Sequence, residues 1–72
     1  MNYLAPFKSR SEAFRLSRAL NERHIASAIV NTPRSLGVSC GLTVVFDSSR
    51  LELVKELVSQ LNLVSSQGIF RK

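Results

Sequence analysis

Residues 42–52 read LTVVFDSSRLE, a run of β-branched and aromatic residues followed directly by polar residues that favour the start of a helix. The high β-propensity of Leu42 to Phe46 predicts a strand. The Asp-Ser-Ser sequence at 47–49 offers several helix N-caps, and Ser49 with Glu52 forms a capping-box pattern. Apolar residues then recur at helical spacing, namely Leu51, Val54, Leu57, Val58 and Leu61. The stretch therefore predicts a strand and then an amphipathic helix that ends at Asn62 or just after it.

A similar strand-then-helix pattern occupies the first third of the chain. Met1 to Phe7 predicts the first strand, with Pro6 near its end or at a bulge because proline cannot donate a ladder hydrogen bond. Ser9 and Glu12 form a capping box, so we expect the first helix to begin there and to end near residues 23–24. The apolar residues of its inner face are Ala13, Leu16, Ala19 and Leu20.

Two further apolar segments complete the fold prediction. Ile25 to Val30 predicts the second strand, and residues 67–70 predict a last strand before the basic tail Arg71-Lys72. The order strand, helix, strand, strand, helix, strand predicts an α+β fold of the ferredoxin-like βαββαβ type. Its sheet has four antiparallel strands in the order 4-1-3-2, with both helices on one face. We expect residues 1–72 to form one domain. The side chains expected to be almost fully buried are Leu16, Leu20, Val44, Val54, Leu57 and Leu61.

Composition restricts the classes of partner. Ten Lys and Arg against five Asp and Glu give a net charge of +5, which attracts anions, acidic protein surfaces or phosphates. The basic residues are scattered and no aromatic-rich strand accompanies them, so nucleic acid is not the expected partner. No uncharged run reaches the roughly 20 residues of a membrane span. A single cysteine without a signal-peptide pattern fits the reducing cytosol, so we expect a cytoplasmic protein.

The single cysteine, Cys40, lies in the loop between the second and third predicted strands. A structural cysteine usually replaces a small hydrophobe inside an element, whereas Cys40 is flanked by Ser39 and Gly41. The predicted topology places it at the start of the third strand, beside residues 7–9 and the N-terminus of the first helix. We expect Gly41 to let another molecule's backbone or a bound anion approach closely.

Positive charge is expected around this thiol. The N-terminus of the first helix carries the positive end of its dipole, and Lys8, Arg10 and Arg34 add cationic side chains. Such surroundings favour the thiolate, which is the reactive form of a cysteine.

The obvious general base, His24, is predicted to lie at the opposite end of the sheet. A strand of about six residues spans roughly 20 Å, which is beyond hydrogen-bond reach. We interpret His24 as a helix C-cap with a left-handed backbone, so no Cys/His catalytic pair is expected. One cysteine and one remote histidine do not make a metal site, and no cofactor is expected either.

The chain resembles a family of small bacterial proteins described as selenium or sulfur carrier-like. The resemblance lies in Thr32-Pro33-Arg34, in Ser39-Cys40-Gly41 five residues later, and in the apolar strand that follows. Ser9, Ala13 and the ending Gly68-Ile69-Phe70 are also similar, so the resemblance covers nearly the whole chain. His24 stands where a glycine is usual. The resemblance implies that Cys40 carries sulfur or selenium as a persulfide or selenosulfide.

The favoured hypothesis is therefore a small cytosolic carrier that a protein donor or acceptor loads and unloads, without independent catalytic activity. The alternative is a non-catalytic binding or regulatory module, metabolite-sensing or protein-interacting, in which Cys40 packs as a small residue. We expect at most weak homodimerisation, through the uncharged second strand, and no membrane association. The residues expected to support Cys40 are Lys8, Ser9, Arg10, Thr32, Pro33, Arg34, Ser39 and Gly41.

Overall fold

Six regular elements form the protein, whose computed structural model describes residues 2–71. Met1 of the predicted first strand and Lys72 of the basic tail lie outside these residues. The elements are β1 (Asn2–Phe7), α1 (Arg10–Glu22), β2 (Ser27–Asn31), β3 (Leu42–Asp47), α2 (Leu51–Gln60) and β4 (Phe70–Arg71). Short 3₁₀ turns at Arg34–Leu36 and Ser48–Arg50 precede β3 and α2. The second strand therefore begins two residues later than predicted.

The sheet is antiparallel throughout, with the order β2-β3-β1-β4. Counted from the β4 edge, this order is 4-1-3-2. Residues from both helices share one buried cluster with Phe7, Val44 and Phe46, which belong to the same face of the sheet. The predicted α+β class, with a four-stranded antiparallel sheet and two helices, is confirmed.

The core between helices and sheet holds five of the six side chains expected there. Leu16, Leu20, Val44, Val54 and Leu57 are at most 2% exposed. The prediction for Leu61 was wrong, because it is only partly buried and Leu63 fills that part of the core at 3% exposure. The helix has already ended at Gln60, so the helical spacing no longer determines which side chain points inward.

Both helices end in the same way. The residue after the C-cap adopts a left-handed backbone, with φ 59° at His24 and 54° at Asn62. The His24 N–H donates to the Asn21 carbonyl, and the Ile25 N–H donates to the Leu20 carbonyl. This is the Schellman hydrogen-bond pattern, which satisfies the last carbonyls of a helix. The interpretation of His24 as a left-handed helix terminus is confirmed.

The start of α2 differs from the predicted capping box. Arg50 is the N-cap and contributes no side-chain hydrogen bond. The Asp47 carboxylate instead accepts from the N–H and the hydroxyl of Ser49, capping the 3₁₀ turn that precedes α2. A carboxylate is a stronger acceptor than a hydroxyl, and this interaction holds Ser49 outside the helix. These hydrogen bonds, led by that from the Ser49 hydroxyl, lower the pKa of Asp47.

The last strand is much shorter than predicted, because the chain bulges beside Pro6. Two residues of β1, Ala5 and Pro6, lie between the pairs Leu4–Phe70 and Phe7–Ser66, whereas residues 67–69 lie between them on the opposite segment. Gly68, with φ 101°, supplies the positive backbone angle at this bulge. Pro6 lies opposite the bulge, as its missing N–H predicts.

Candidate functional site

The base of the Cys40 loop is fixed by a very close backbone contact at Gly41. A Cβ atom at Gly41 would lie 2.1 Å from the Phe7 carbonyl oxygen and 3.2 Å from the Lys8 Cα. The close approach that requires a glycine at this position is that of the end of β1, and the expected approach of another molecule's backbone or a bound anion stays a prediction. The contact between Gly41 and residues 7–8 also places Cys40 one residue from the junction of β1 and α1, where the topology predicted it.

The loop from Thr32 to Gly41 is closed by hydrogen bonds at its base. The Thr32 N–H donates to the Gly41 carbonyl at 3.4 Å, which continues the β2–β3 ladder by one pair. The Thr32 hydroxyl accepts from that of Thr43, a fully buried residue, at 2.9 Å. These two contacts make Thr32 a fixed point for the loop.

The distal part of the loop is a single 3₁₀ turn. Pro33, with φ −64°, precedes the turn at Arg34–Leu36, and the Leu36 N–H donates to the Pro33 carbonyl at 3.2 Å. Gly37 ends the turn with φ 67°, a backbone angle that glycine adopts without strain. The Thr-Pro-Arg sequence thus shapes the loop and leaves Arg34 exposed.

Gln67 holds the residue that precedes the cysteine. The Ser39 N–H donates to Gln67 Oε1 at 3.0 Å, and Gln67 Nε2 donates to the Ser39 carbonyl at 3.0 Å. The backbone of Gln67 is itself held by β1, because its N–H donates to the Pro6 carbonyl at 2.9 Å. Both hydrogen-bonding groups of the Ser39 backbone are therefore satisfied by one side chain from the C-terminal segment.

The N-terminus of α1 beside the loop is capped by three residues. The Ser9 hydroxyl accepts from the Glu12 N–H at 3.3 Å, which is the first half of the predicted capping box. The Glu12 carboxylate does not return to Ser9, however. It accepts from the hydroxyl and the N–H of Ser65 at 2.6 and 2.8 Å, while the Ser9 N–H donates to the Ser65 hydroxyl.

These contacts alter the charge at the start of the helix. The hydrogen bond from the Ser65 hydroxyl, followed by that from its N–H, lowers the pKa of Glu12. The ionised carboxylate lies in the first turn, where it complements the positive end of the helix dipole. Part of the positive field predicted for Cys40 is therefore already balanced by Glu12.

The thiol itself is exposed, and so are the three cationic side chains that the sequence predicts near it. Cys40 is a free, exposed cysteine, and Lys8, Arg10 and Arg34 are exposed as well. Within residues 2–71 none of these three side chains hydrogen-bonds to the thiol. The backbone brings Lys8 beside Gly41. Ser9 and Arg10 follow as the N-cap and first residue of α1, and Arg34 begins the 3₁₀ turn of the loop.

The histidine is remote from this loop. His24 follows the C-terminal end of α1, and Ser9 caps the other end, so the 13-residue helix separates them by about 20 Å. The arrangement therefore offers an accessible nucleophile on a defined loop, without a histidine base. Such a thiol can exchange with a sulfur atom of another molecule that approaches from solvent.

Gln67 and Ser65 are the site residues that the sequence did not reveal. Gln67 contacts a residue 28 positions away and Ser65 one 53 positions away, and no local pattern carries such pairings. The available signal was Gly68 next to Gln67, which is typical of a bulge at a strand start.

Comparison with known proteins gives one match. Residues 2–70 match the family model described as "Putative Se/S carrier protein-like". No curated protein and no solved structure matches the chain. Among residues 2–71, no helix has the length and apolar character needed to cross a membrane.

Proposed function

The chain belongs to the Se/S carrier protein-like family, and from this membership we propose that Cys40 carries sulfur or selenium as a persulfide or selenosulfide. The observation that supports this most is the exposed thiol of the chain's single cysteine, held on a loop with a fixed base. A carrier needs an atom that another protein can reach, and this loop presents one.

The loading step needs no base or cofactor from this chain. The Cys40 thiolate attacks the outer sulfur of a donor persulfide, the donor's sulfur–sulfur bond breaks, and the donor leaves as a thiolate. One sulfur–sulfur bond forms and one breaks, so no external oxidant is required. A donor that carries a selenosulfide would transfer selenium in the same way.

The neighbouring residues divide into two groups under this proposal. Thr32, Pro33, Ser39 and Gly41 fix the loop, and Ser9 caps the adjacent helix. Lys8, Arg10 and Arg34 are exposed cations that attract an anionic persulfide or its acidic carrier protein. A reducing compartment such as the cytosol would keep the unloaded thiol free.

The fold is also proposed to be ferredoxin-like. The order of elements and the antiparallel neighbours β2-β3-β1-β4 support this classification.

Intact mass spectrometry of protein isolated without reductant tests the carrier proposal. We expect a species heavier by about 32 mass units for a persulfide or about 80 for a selenosulfide, removed by dithiothreitol and absent from Cys40→Ser. A small-molecule persulfide should load the parent in vitro and fail to load Cys40→Ser. A parent that stays unmodified in both experiments would refute the carrier function and favour a non-catalytic binding module.

A further inference from the structure

The outer edge of β2 is an open hydrogen-bonding surface. Within residues 2–71, β2 pairs only with β3. Thr32 and Gly41 form a hydrogen-bonded pair, and such pairs alternate along an antiparallel ladder. The peptide groups of Ala28 and Val30 therefore face β3, and those of Ser27, Ile29 and Asn31 face outward.

This edge lacks the usual protection against strand pairing. The sequence of β2, SAIVN, contains no charge and no proline, and the β2–β3 register runs without a bulge. The opposite edge is different, because β4 is only two residues long and carries Arg71. An added strand would therefore extend the sheet at β2.

A groove runs between α1 and the start of β2. It has a volume of about 480 Å³ and is lined by Phe14, Arg18 and Asn21 of α1 and by residues 25–27. Phe14 is 57% exposed, although it is a large apolar side chain. Side chains on one face of an added strand would enter this groove.

The groove has a basic margin. Arg10 and Arg18 lie four residues before and after Phe14 on α1, so the three side chains share one side of the helix. Glu22 follows Arg18 at the same spacing, yet Arg18 forms no ion pair within residues 2–71. The net charge of the chain is +5. The guanidinium groups of this margin are suited to bind a carboxylate.

We propose that the β2 edge, together with Phe14 and Arg18, binds an extended segment of another protein by strand addition. The segment alternates its side chains, with apolar and acidic residues on the face that meets the groove. Since β2 leads directly into the Cys40 loop, a strand bound along it would bring its protein close to the thiol. The inference rests on the proposed function, because the bound protein would be the one that loads or unloads Cys40.

A second copy of this chain is a poorer occupant than an acidic segment. Pairing of β2 with β2 would join two chains of net charge +5, each with Arg18 in the groove beside the start of β2. Repulsion between like charges opposes that association.

The proposal is tested by NMR titration of ¹⁵N-labelled protein with the peptide acetyl-Thr-Glu-Thr-Val-Thr-Glu-Thr-amide, whose valine and two glutamates share one face of an extended strand. We expect the amide signals of Ser27, Ile29 and Asn31 to shift, with an affinity at least about tenfold above that of the peptide with lysine in place of glutamate. No saturable shift, equal binding of the two peptides, or shifts confined to other strands would overturn the proposal.

Matched variants locate the contacts. Arg18→Glu should weaken binding of the acidic peptide about tenfold or more, whereas Arg50→Glu, which changes the net charge equally, should leave it within about twofold. Phe14→Ser should weaken binding, and Val64→Ser, at the 86% exposed apolar residue outside the groove, should not. Equal effects within either pair would overturn the assignment of this groove.

Two further measurements separate the possible failures. Cys40→Ser should bind the peptide like the parent, so a negative mass-spectrometry result and a negative titration are independent outcomes. Sedimentation should give the 8.0 kDa monomer. A dimer that dissociates when Ser27→Pro removes one outward N–H, and that excludes the peptide, would overturn the proposal in favour of self-pairing.

Discussion

Replacement of Gly41 by alanine should be among the most damaging single changes near the candidate site. The added Cβ would lie 2.1 Å from the Phe7 carbonyl oxygen, whereas ordinary contacts begin at 3.4 Å. The neighbour is backbone at the end of β1, and the Phe7 ring is fully buried, so neither can rotate away. The two backbone segments that contain Phe7 and Gly41 must therefore move apart by more than 1 Å.

The expected loss can be estimated from two contributions. Overpacking of a rigid site costs about 1–3 kcal/mol, and the weakened hydrogen bond from Thr32 to Gly41 adds about 0.5–1.5 kcal/mol. We therefore expect Gly41→Ala to lower the free energy of unfolding by about 2–4 kcal/mol. A domain of 72 residues has about 4–11 kcal/mol in total.

Gly37→Ala is the matched control. Gly37 has φ 67° and nothing within 4 Å of an added Cβ, so alanine there meets backbone strain but no clash. The strain should cost about 1–2 kcal/mol. Urea unfolding followed by circular dichroism measures both variants against the parent. A Gly41→Ala value within about 0.5 kcal/mol of the parent, or one smaller than that of Gly37→Ala, would refute the reasoning.

Three other changes have defined expectations. Gln67→Ala should speed hydrogen exchange of the Ser39 amide about tenfold, because the acceptor of that amide is lost. Gln60→Ala, at an exposed position of α2, should leave the exchange rate unchanged, and equal effects of the two variants would contradict the contact between Gln67 and Ser39. The pKa of Glu12 is lower in the folded state than its ordinary value of 4.5. The ionised Glu12 therefore stabilises the folded state above pH 4.5, and this contribution is lost as the pH falls through the folded-state pKa. Glu12→Gln should therefore show a smaller loss of stability on acidification, measured by urea unfolding across that range, and an unchanged loss would argue against the Ser65 contacts. His24→Gly should raise the free energy of unfolding by about 1 kcal/mol, because glycine adopts φ 59° without strain, and a decrease would show that the imidazole is needed.

The fold was predictable because local signals agreed with one another. The Ser9 cap, the apolar spacing of both helices and the β-propensity of residues 42–46 each point to the element that is present. Errors occurred where two local options competed. Asp47 and Ser49 both fit a cap, and their mutual hydrogen bond decides between them only in three dimensions. Leu61 fits the helical spacing, but the left-handed turn at Asn62 brings Leu63 inward instead.

The site was predictable only in part, for a different reason. The position of Cys40 beside the end of β1 follows from strand order, which the pattern of elements determines. The hold of Gln67 on Ser39 depends on a bulge that offsets one segment by a single residue. A strand of two residues is too short for alternating apolar and polar residues to define its register, so the one-residue offset can be seen only in the folded structure.

The attachment of Gln67 has a consequence for local stability. Residues 65–67 are hydrogen-bonded on one side to Pro6 of β1, to Lys8 and to Glu12 of α1. On the other side they are hydrogen-bonded to Ser39 of the cysteine loop. We therefore expect the loop and the C-terminal segment to open as one cooperative unit, whose amides exchange with solvent together. Detachment of the two-residue β4 from β1 would loosen the hold on Ser39 from a distance. We therefore expect the C-terminal segment to govern how often Cys40 leaves its resting position, although within residues 2–71 no hydrogen bond joins that segment to the thiol.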